Sequence, residues 1–383
     1  YGIFGDASWT NKDRLSDEIL TNLIEHYSQH KLNLANVPDD QLGNAYEYLI
    51  KEFADDSGHT AAEFYTNRTV VKLMTLIMDP QPGESVYDPT CGSGGLLLNC
   101  ALHLKEEGKE YRNLKLYGQE INLITSAIAR MNMFMHGIEE FSIVRGDTLA
   151  HPAFLEDDEL KQFNVILANP PYSIKAWDRK SFESDPYGRN LWGTPPQGSA
   201  DYAFQQHIQK SLNTQNGRSI TLWPHGILFR ESEAGIRRKL IEADLIECVI
   251  GLGPNLFYNS PMEACLLITK TNKMPDRRGK ILFINAVNEV KQDRNMGYLE
   301  NHHVSKIFEA YQDYTSKKNF AALLDIEEVL ENKANMAINL YVRQTQLESG
   351  EMIPFDDAYA AWNESSGELK GSMNALFETL GDS

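Results

Sequence analysis

Cysteine is scarce in this 383-residue chain. Cys91, Cys100, Cys248 and Cys265 have no Cys-x-x-Cys spacing, so neither a disulfide scaffold nor a zinc ribbon is indicated, and a reduced, cytoplasmic setting fits. No uninterrupted apolar stretch reaches the roughly 18 residues of a membrane span, and no signal peptide is visible, so no membrane is implied. Positive charge is in deficit: 36 Lys and Arg against 54 Asp and Glu leave a net charge of −18. Such a chain does not grip a phosphate backbone over its whole surface. If it acts on nucleic acid, a local basic lining or a basic partner must supply the grip. There is no Gly-x-Gly-x-x-Gly for a pyrophosphate, no Gly-x-x-x-x-Gly-Lys-Ser/Thr for a motor, and no His-x-x-x-His or carboxylate cluster arguing for a metal. Repeats of 20–50 residues are also lacking. The first residue is Tyr1 rather than Met, and some N-terminal sequence is expected to be missing.

What is present is an alternation of helical and strand patterns. Residues 13–32 carry Leu15, Ile19, Leu20, Leu23, Ile24 and Tyr27 at helical spacing, and residues 39–53 repeat the pattern. The turn Asp55-Asp56-Ser57-Gly58 closes this helical region, 1–57. The next region, 58–345, contains a helix over 69–78 with Thr66 or Asn67 as cap, then strands at 85–87, 114–118, 141–144 and 163–168 separated by helices. That order predicts an α/β fold with right-handed crossovers and a mostly parallel sheet. Further strands are expected at 219–223, 246–251, 264–269 and 281–285. A long loop, 173–199, is rich in Gly and Pro and carries Lys175, Trp177, Arg179, Lys180, Arg189 and Trp192; loops of this length are functional or disordered. The tail, 346–383, has Leu369, Met373, Leu376 and Leu380 in a helical stripe that either packs back on the domain or meets a partner.

Four strand ends carry chemistry. The first leads into Asp88-Pro89-Thr90-Cys91-Gly92-Ser93-Gly94-Gly95 and a helix, where glycines let a ligand approach the backbone and the helix N-terminus. A carboxylate there repels a pyrophosphate but suits a ligand bearing an ammonium group, such as S-adenosylmethionine. Glu120 ends the second strand and could accept both ribose hydroxyls. Asp147 ends the third and could hold an adenine amino group. Each acid alone reads as a solvated loop residue; together, at consecutive strand ends, they indicate an adenosine-type cofactor. The fourth strand ends in Asn169-Pro170-Pro171-Tyr172. Alone, this is either a strand stopped by prolines with a packed tyrosine or a catalytic corner. As a corner, the Asn169 side-chain oxygen and the Pro170 carbonyl could take the two protons of an adenine amine and localise its lone pair. Tyr172 would offer a face to a base flipped from its helix. Neither a metal nor a covalent nucleophile is required.

The ordered segments Glu63-Phe64-Tyr65-Thr66, Asp88-Pro89-Thr90-Cys91-Gly92-Ser93-Gly94-Gly95, Gln119-Glu120-Ile121-Asn122, Gly146-Asp147-Thr148-Leu149, Asn169-Pro170-Pro171-Tyr172 and Gly198-Ser199-Ala200-Asp201-Tyr202-Ala203-Phe204 resemble the DNA adenine-N6 methyltransferase (modification) subunit of type I restriction–modification systems. Gly217-Arg218, the run from Pro224 to Arg230, and Ile250-Gly251-Leu252 with Asn255-Leu256-Phe257-Tyr258 extend the likeness. The resemblance covers about residues 40–345. It implies a Rossmann-like, S-adenosylmethionine-dependent methyltransferase fold: a mostly parallel seven-stranded sheet with helices on both faces, after a small helical region. It assigns Glu63, Phe64, Tyr65, Thr66, Asn67 and Arg68 to a lid over the methionine end of the cofactor. Asp88, Thr90, Gly92, Ser93, Gly94, Gly95, Glu120, Asp147 and Asn169 complete the cofactor site, and Asn169, Pro170, Pro171 and Tyr172 form the catalytic corner. It also implies a specificity subunit that reads the DNA, two modification subunits for each specificity subunit, and a separate motor–nuclease restriction subunit. Family members usually have a longer N-terminal helical domain, and Asn67 stands where proline is common. The alternatives are the methyltransferase region of a fused restriction–modification enzyme, a protein glutamine methyltransferase, which also uses Asn-Pro-Pro-Tyr, and a non-catalytic scaffold.

Overall fold

The central strands are buried at almost every position, so both faces of the sheet are covered. A computed structural model describes residues 12–13, 16–29, 41–43, 45–46, 48–49, 66–256, 262–292, 297–342, 359, 362–363, 366–367 and 370. The chain divides into two units, Tyr1–Arg343 and Gln344–Ser383. Most of the second unit, including the predicted apolar stripe of the tail, lies outside the described residues, as does much of the helix predicted over 39–53. Helix α1 (Asp17–Ser28) starts at Ser16, whose hydroxyl accepts the Ile19 N–H at 3.2 Å, and none of its residues is buried.

Helix α2 (Arg68–Met78) turns its apolar face inward and ends in a left-handed Asp79 (φ 40°). Strand β1 (Ser85–Asp88) follows, then α3 (Gly95–Glu106), β2 (Lys115–Glu120), α4 (Leu123–Met135), β3 (Phe141–Arg145), the small hairpin β4 (Leu155–Glu156) and β5 (Glu159–Leu160), and β6 (Val165–Ala168). The 173–199 loop contains one short helix, α5 (Arg179–Glu183), and precedes α6 (Asp201–Lys210). Then come β7 (Arg218–Pro224), α7 (Ala234–Glu242), β8 (Ile246–Leu252), β9 (Ala264–Lys270) and β10 (Lys280–Ala286). The hairpin β11 (Lys291–Gln292) and β12 (Gly297–Tyr298), α8 (Asn301–Asp313), β13 (Ala321–Asp325), α9 (Ile326–Glu331) and α10 (Ile338–Tyr341) complete the first unit.

The main sheet has nine strands, in the order β13-β10-β8-β9-β7-β6-β1-β2-β3, where the resemblance implied seven. Five neighbouring pairs are parallel, and β7–β9, β8–β9 and β10–β13 are antiparallel. Beyond the strands expected from sequence, residues 321–325 pair with β10 as the edge strand β13. Period-two alternation sorts the core: on β10, Leu282, Ile284 and Ala286 pack with α2, α3 and α8, whereas Ile281 and Phe283 pack with α6, α7 and α9. After β3 the chain crosses back to place β6 on the other side of β1. The carboxyl ends of β1 and β6 are therefore adjacent where the winding reverses, the place at which open α/β sheets hold ligands.

Arg218, at the start of β7, ties the opposite, amino edge of the sheet to its supports. Its guanidinium forks onto both Glu84 carboxylate oxygens (2.8 and 2.7 Å) and donates to the carbonyls of Met78 (2.7 Å) and Asp79 (2.9 Å) at the end of α2. This satisfies orphan carbonyls of α2 and fixes the entry into β1. Arg218→Met is expected to lower the free energy of urea unfolding by about 2–3 kcal/mol; a change under about 0.5 kcal/mol, as for an ordinary surface position, would contradict this role.

Candidate active site

The turns at the carboxyl ends of β1, β2 and β3 are laced to one another by backbone groups. Cys91 N–H donates to the Gln119 carbonyl at 2.9 Å, and Gly146 N–H to the Glu120 carbonyl at 2.9 Å. The Glu120 carboxylate joins two of them directly: Oε2 accepts the Gly92 N–H at 3.0 Å and Oε1 the Asn122 N–H at 2.8 Å. Two backbone N–H groups thus fix the direction of the Glu120 carboxylate, which lines the cavity described below. Asp147 is exposed, and its Oδ1 accepts the N–H groups of Leu149 (2.9 Å) and Ala150 (3.1 Å). Its second oxygen has no hydrogen-bond partner among the described residues.

Gly94 caps α3 in the left-handed region (φ 80°), and a Cβ there would come within 3.0 Å of the Met133 methyl. At Gly95 a Cβ would meet nothing within 4 Å, so the first turn of α3 is open to a ligand. Ser93 is buried, with its carbonyl accepting from Asn132 Nδ2 at 3.1 Å.

Asp88 occupies a different position from its acidic neighbours. It is 1% exposed, lies behind the cavity wall, and its Oδ1 accepts the Thr90 N–H at 3.0 Å. Burial pushes its carboxyl up to about 8; the Thr90 N–H opposes the shift and the Glu120 charge adds to it. Burial thus favours the protonated form, and Asp88 does not itself line the cavity.

The Asn169 corner opens onto a cavity of about 1470 Å³, whose lining includes Thr90, Glu120, Asp147, Asn169, Pro170, Pro171 and Tyr172. Asn169 Nδ2 donates to Thr66 Oγ1 at 3.0 Å, and its Oδ1 accepts the Tyr172 hydroxyl at 2.5 Å. The amide is thus held from both ends, its orientation set by that hydrogen-bond network. Burial, with Cys265 and Asp201 nearby, holds the Tyr172 hydroxyl well above the ordinary phenol range and keeps it a donor. The Tyr172 ring lies 6.2 Å from that of Trp223, tilted by 50°.

Of the lid residues, Glu63, Phe64 and Tyr65 lie outside the described residues. Thr66 reaches the corner itself. Asn67 is buried away from the cavity: Oδ1 accepts the Thr69 N–H at 3.0 Å as the cap of α2, and Nδ2 donates to the Gly297 carbonyl at 2.8 Å. Arg68 opens α2 and does not line the cavity.

Two supports were not assigned a role from sequence. Asp201, 0% exposed, accepts the Ser173 N–H on Oδ1 at 2.7 Å and pairs through Oδ2 with Arg230. Ser173 directly follows the Asn-Pro-Pro-Tyr corner and has φ 52°, so the carboxylate holds a left-handed turn that few side chains favour. The segments 198–204 and 224–230, quoted above only for resemblance, therefore meet beneath the corner. Arg189 is the second support; it is 2% exposed and bonded across the 173–199 loop.

The titration of Asp88 gives a testable consequence. Its folded value is raised above the unfolded one, so its contribution to stability is present at low pH and is lost as pH rises through about 4 to 8. Asp88→Asn keeps the acceptor for Thr90 and removes the buried charge. Measured by urea unfolding, the stability of the variant relative to the natural chain should grow by about 1.4 kcal/mol per pH unit across that window. A difference independent of pH would refute the assignment.

Residues 37–349 match the N-6 DNA methylase family. The chain is 32% identical over 94% of its length to the Type I restriction enzyme MjaVIII methylase subunit of Methanocaldococcus jannaschii, of which the alignment covers 65%. It is 30% identical over 96% of its length to the Type I restriction enzyme HindI methylase subunit of Haemophilus influenzae, covering 86% of that protein. The crystal structure of the type I restriction-modification system methyltransferase subunit from Streptococcus thermophilus superposes with a TM-score of 0.78 at 33% identity, covering 88% of this chain and 72% of that one. The chain spans 65% and 59% of the lengths of two Methanocaldococcus jannaschii methylase subunits that it matches. The expectation drawn from the ordered strand-end segments is met: the chain belongs to the N-6 DNA methylase family, alongside the methylase subunits of type I restriction enzymes.

Proposed function

We propose that this chain transfers a methyl group from S-adenosylmethionine to the exocyclic N6 of an adenine flipped out of DNA, as the modification subunit of a type I restriction–modification complex. The observation that carries the reading is the Asn169 amide, pinned by Thr66 and Tyr172 at the rim of a cavity that Glu120 and Asp147 also line. The family and the names of its methylase subunits support the same chemistry.

The donor set fits the cofactor. Glu120 would accept the ribose hydroxyls, the second oxygen of Asp147 would take the adenine amino group, and the open first turn of α3 at Gly95 offers backbone N–H groups to the methionine end. Thr90, Gly92, Ser93 and Gly94 would shape that turn, with Glu63, Phe64, Tyr65, Thr66, Asn67 and Arg68 as the lid segment. When bound, S-adenosylmethionine supplies an electrophilic methyl group on a sulfonium. Asn169 Oδ1 spends one lone pair on Tyr172 and has another for an N6 proton of the target. The Pro170 carbonyl would take the second proton. Two acceptors draw the amine lone pair out of the ring, and they bind more tightly as positive charge develops on N6. The proton is lost after attack, so no strong base is needed. Pro171 stiffens the turn, and Tyr172 would present its ring to the flipped base.

The charge of −18 argues for shared labour. A specificity subunit would supply base reading and much of the phosphate grip, with two modification subunits for each specificity subunit and a separate restriction subunit for translocation and cleavage. Among the described residues no helix is long and apolar enough to cross a membrane, and the proposed location is the cytoplasm.

Calorimetry on the wild-type chain should show binding of S-adenosylmethionine and no response to NADH. Asn169→Ala should keep cofactor affinity within about threefold and, in complex with the specificity subunit, cut methyl transfer to cognate DNA by about a hundredfold or more. Transfer at a near wild-type rate would overturn the mechanism.

A further inference from the structure

The 173–199 loop forms one wall of the cavity, yet it has only one short helix to stiffen it. Trp177, Arg179, Gln197 and Gln206 bond within and onto the loop, and Arg189 ties it to the turn after β3. The side chain is 2% exposed, and its guanidinium bonds to three places at once. Nε donates to both Asp185 carboxylate oxygens, at 3.0 and 3.1 Å; Nη1 donates to the Thr148 carbonyl at 2.9 Å and Nη2 to the Leu149 carbonyl at 2.8 Å. The Arg189 backbone N–H adds a bond to Asp185 Oδ2 at 2.7 Å. Its guanidinium carbon also lies 5.7 Å from the Phe182 ring centroid and 5.2 Å from that of Tyr187, both rings lining the cavity.

Thr148 and Leu149 belong to the turn that Asp147 opens. That turn is closed from inside by the bonds of Leu149 and Ala150 N–H to Asp147 Oδ1, and is tied to the β1 turn by the Thr148 hydroxyl, which donates to the Pro89 carbonyl at 2.5 Å. Arg189 therefore fastens the target-side loop to the backbone that aims Asp147. The Asn169 corner has separate supports, Thr66 on one side and Asp201 with Arg230 on the other. From this division of supports we infer that Arg189 is a positioning residue for the adenine end of the cofactor site: it acts through the Thr148 and Leu149 carbonyls on Asp147 and takes no part in orienting Asn169. The inference rests on S-adenosylmethionine being the cofactor.

A planar fork is what the geometry demands. Lysine keeps the charge beside Asp185, but a single ammonium cannot reach the carboxylate and both carbonyls in those directions. The test uses the chain with its specificity subunit and cognate DNA, and two variants, Arg189→Lys and Asp185→Asn. Calorimetry measures affinity for S-adenosylmethionine and for 5′-methylthioadenosine, which retains the adenosine but lacks the methionine end. Initial rates give KM and kcat. In Arg189→Lys both affinities should fall by about tenfold or more together, with KM for S-adenosylmethionine rising by a similar factor and kcat staying within about threefold. Asp185→Asn keeps the two carbonyl contacts and should show the same split at smaller size. A fall in kcat matching the loss of affinity would overturn the inference, as would unchanged affinity or a loss confined to S-adenosylmethionine. Should Arg189→Lys not fold, the split in Asp185→Asn decides, and an unchanged KM there counts against the inference. Failure of the wild-type chain to bind S-adenosylmethionine would instead reject the functional proposal.

Discussion

The pairing of β1 with β6 is the constraint on which the rest of the carboxyl edge depends. Two Cα partners, Val86 with Val165 and Tyr87 with Ile166, set the register. Because side chains alternate with period two, a one-residue slip would exchange the faces of β6, turning Ile166 and Ala168 away from Tyr87 and Phe163 and toward the α2–α3 side. Such a slip would also carry Asn169 away from Thr66. The stacking of Tyr87 on Phe163, with centroids 4.4 Å apart, and the bond between the Tyr87 hydroxyl and the His207 ring at 3.1 Å both oppose it. Correct register therefore rests on packing beneath the sheet, well away from the residues that would meet a substrate.

Buried charge is handled in two ways near the site. Asp88 has no cationic partner among the described residues, and burial pushes its carboxyl up to about 8, favouring the protonated form. Asp201 and Asp185 are instead paired with Arg230 and Arg189, and each accepts a backbone N–H as well. An uncompensated carboxylate in these positions would be strongly destabilising, so the arginines are obligatory once the acids are present. A like arrangement stands at the far edge, where fully buried Glu247 is met by Lys270 at 3.0 Å, Arg277 at 3.1 Å and the Tyr311 hydroxyl at 2.6 Å. That cluster secures β8 against α8 and has no place in the proposed chemistry.

The parts of the site that were legible in the sequence are those whose physics is local. Asn-Pro-Pro must end a strand, glycines open the turn before α3, and an acid at a strand end stands at the ligand edge of a parallel sheet. The cap of the helix now seen as α2 was equally local: Thr66 and Asn67 were the two candidates, and Asn67 takes the role. What escaped was long-range pairing. Nothing near residue 173 announces that Asp201, 28 positions on, will take its N–H, and nothing near Asp147 announces Arg189. The 173–199 loop read as either functional or disordered because its order comes from side chains reaching carbonyls across turns, which leaves no periodic trace. Strand β13 was missed for a related reason: Ala321, Ala322, Leu323 and Leu324 carry no β-branched residue, and their pairing with β10 overrides local preference. Asp88 was seen as acidic but not as buried, and burial is what raises its carboxyl.

The bond from Asn67 to the Gly297 carbonyl has a consequence for synthesis of the chain. It joins residues 230 positions apart, at the start of α2 and in the last small hairpin before α8. Strands β1, β2 and β3 emerge in order and can pair as they are made, and β6 can join β1 once residue 166 has followed. Thr66, which steadies the Asn169 amide, is adjacent to Asn67, and that anchor exists only after residue 297 has left the ribosome. The sheet edge can thus form early while its reactive corner stays incomplete, and a nascent chain would acquire an ordered corner late, when nearly all of the first unit has been made.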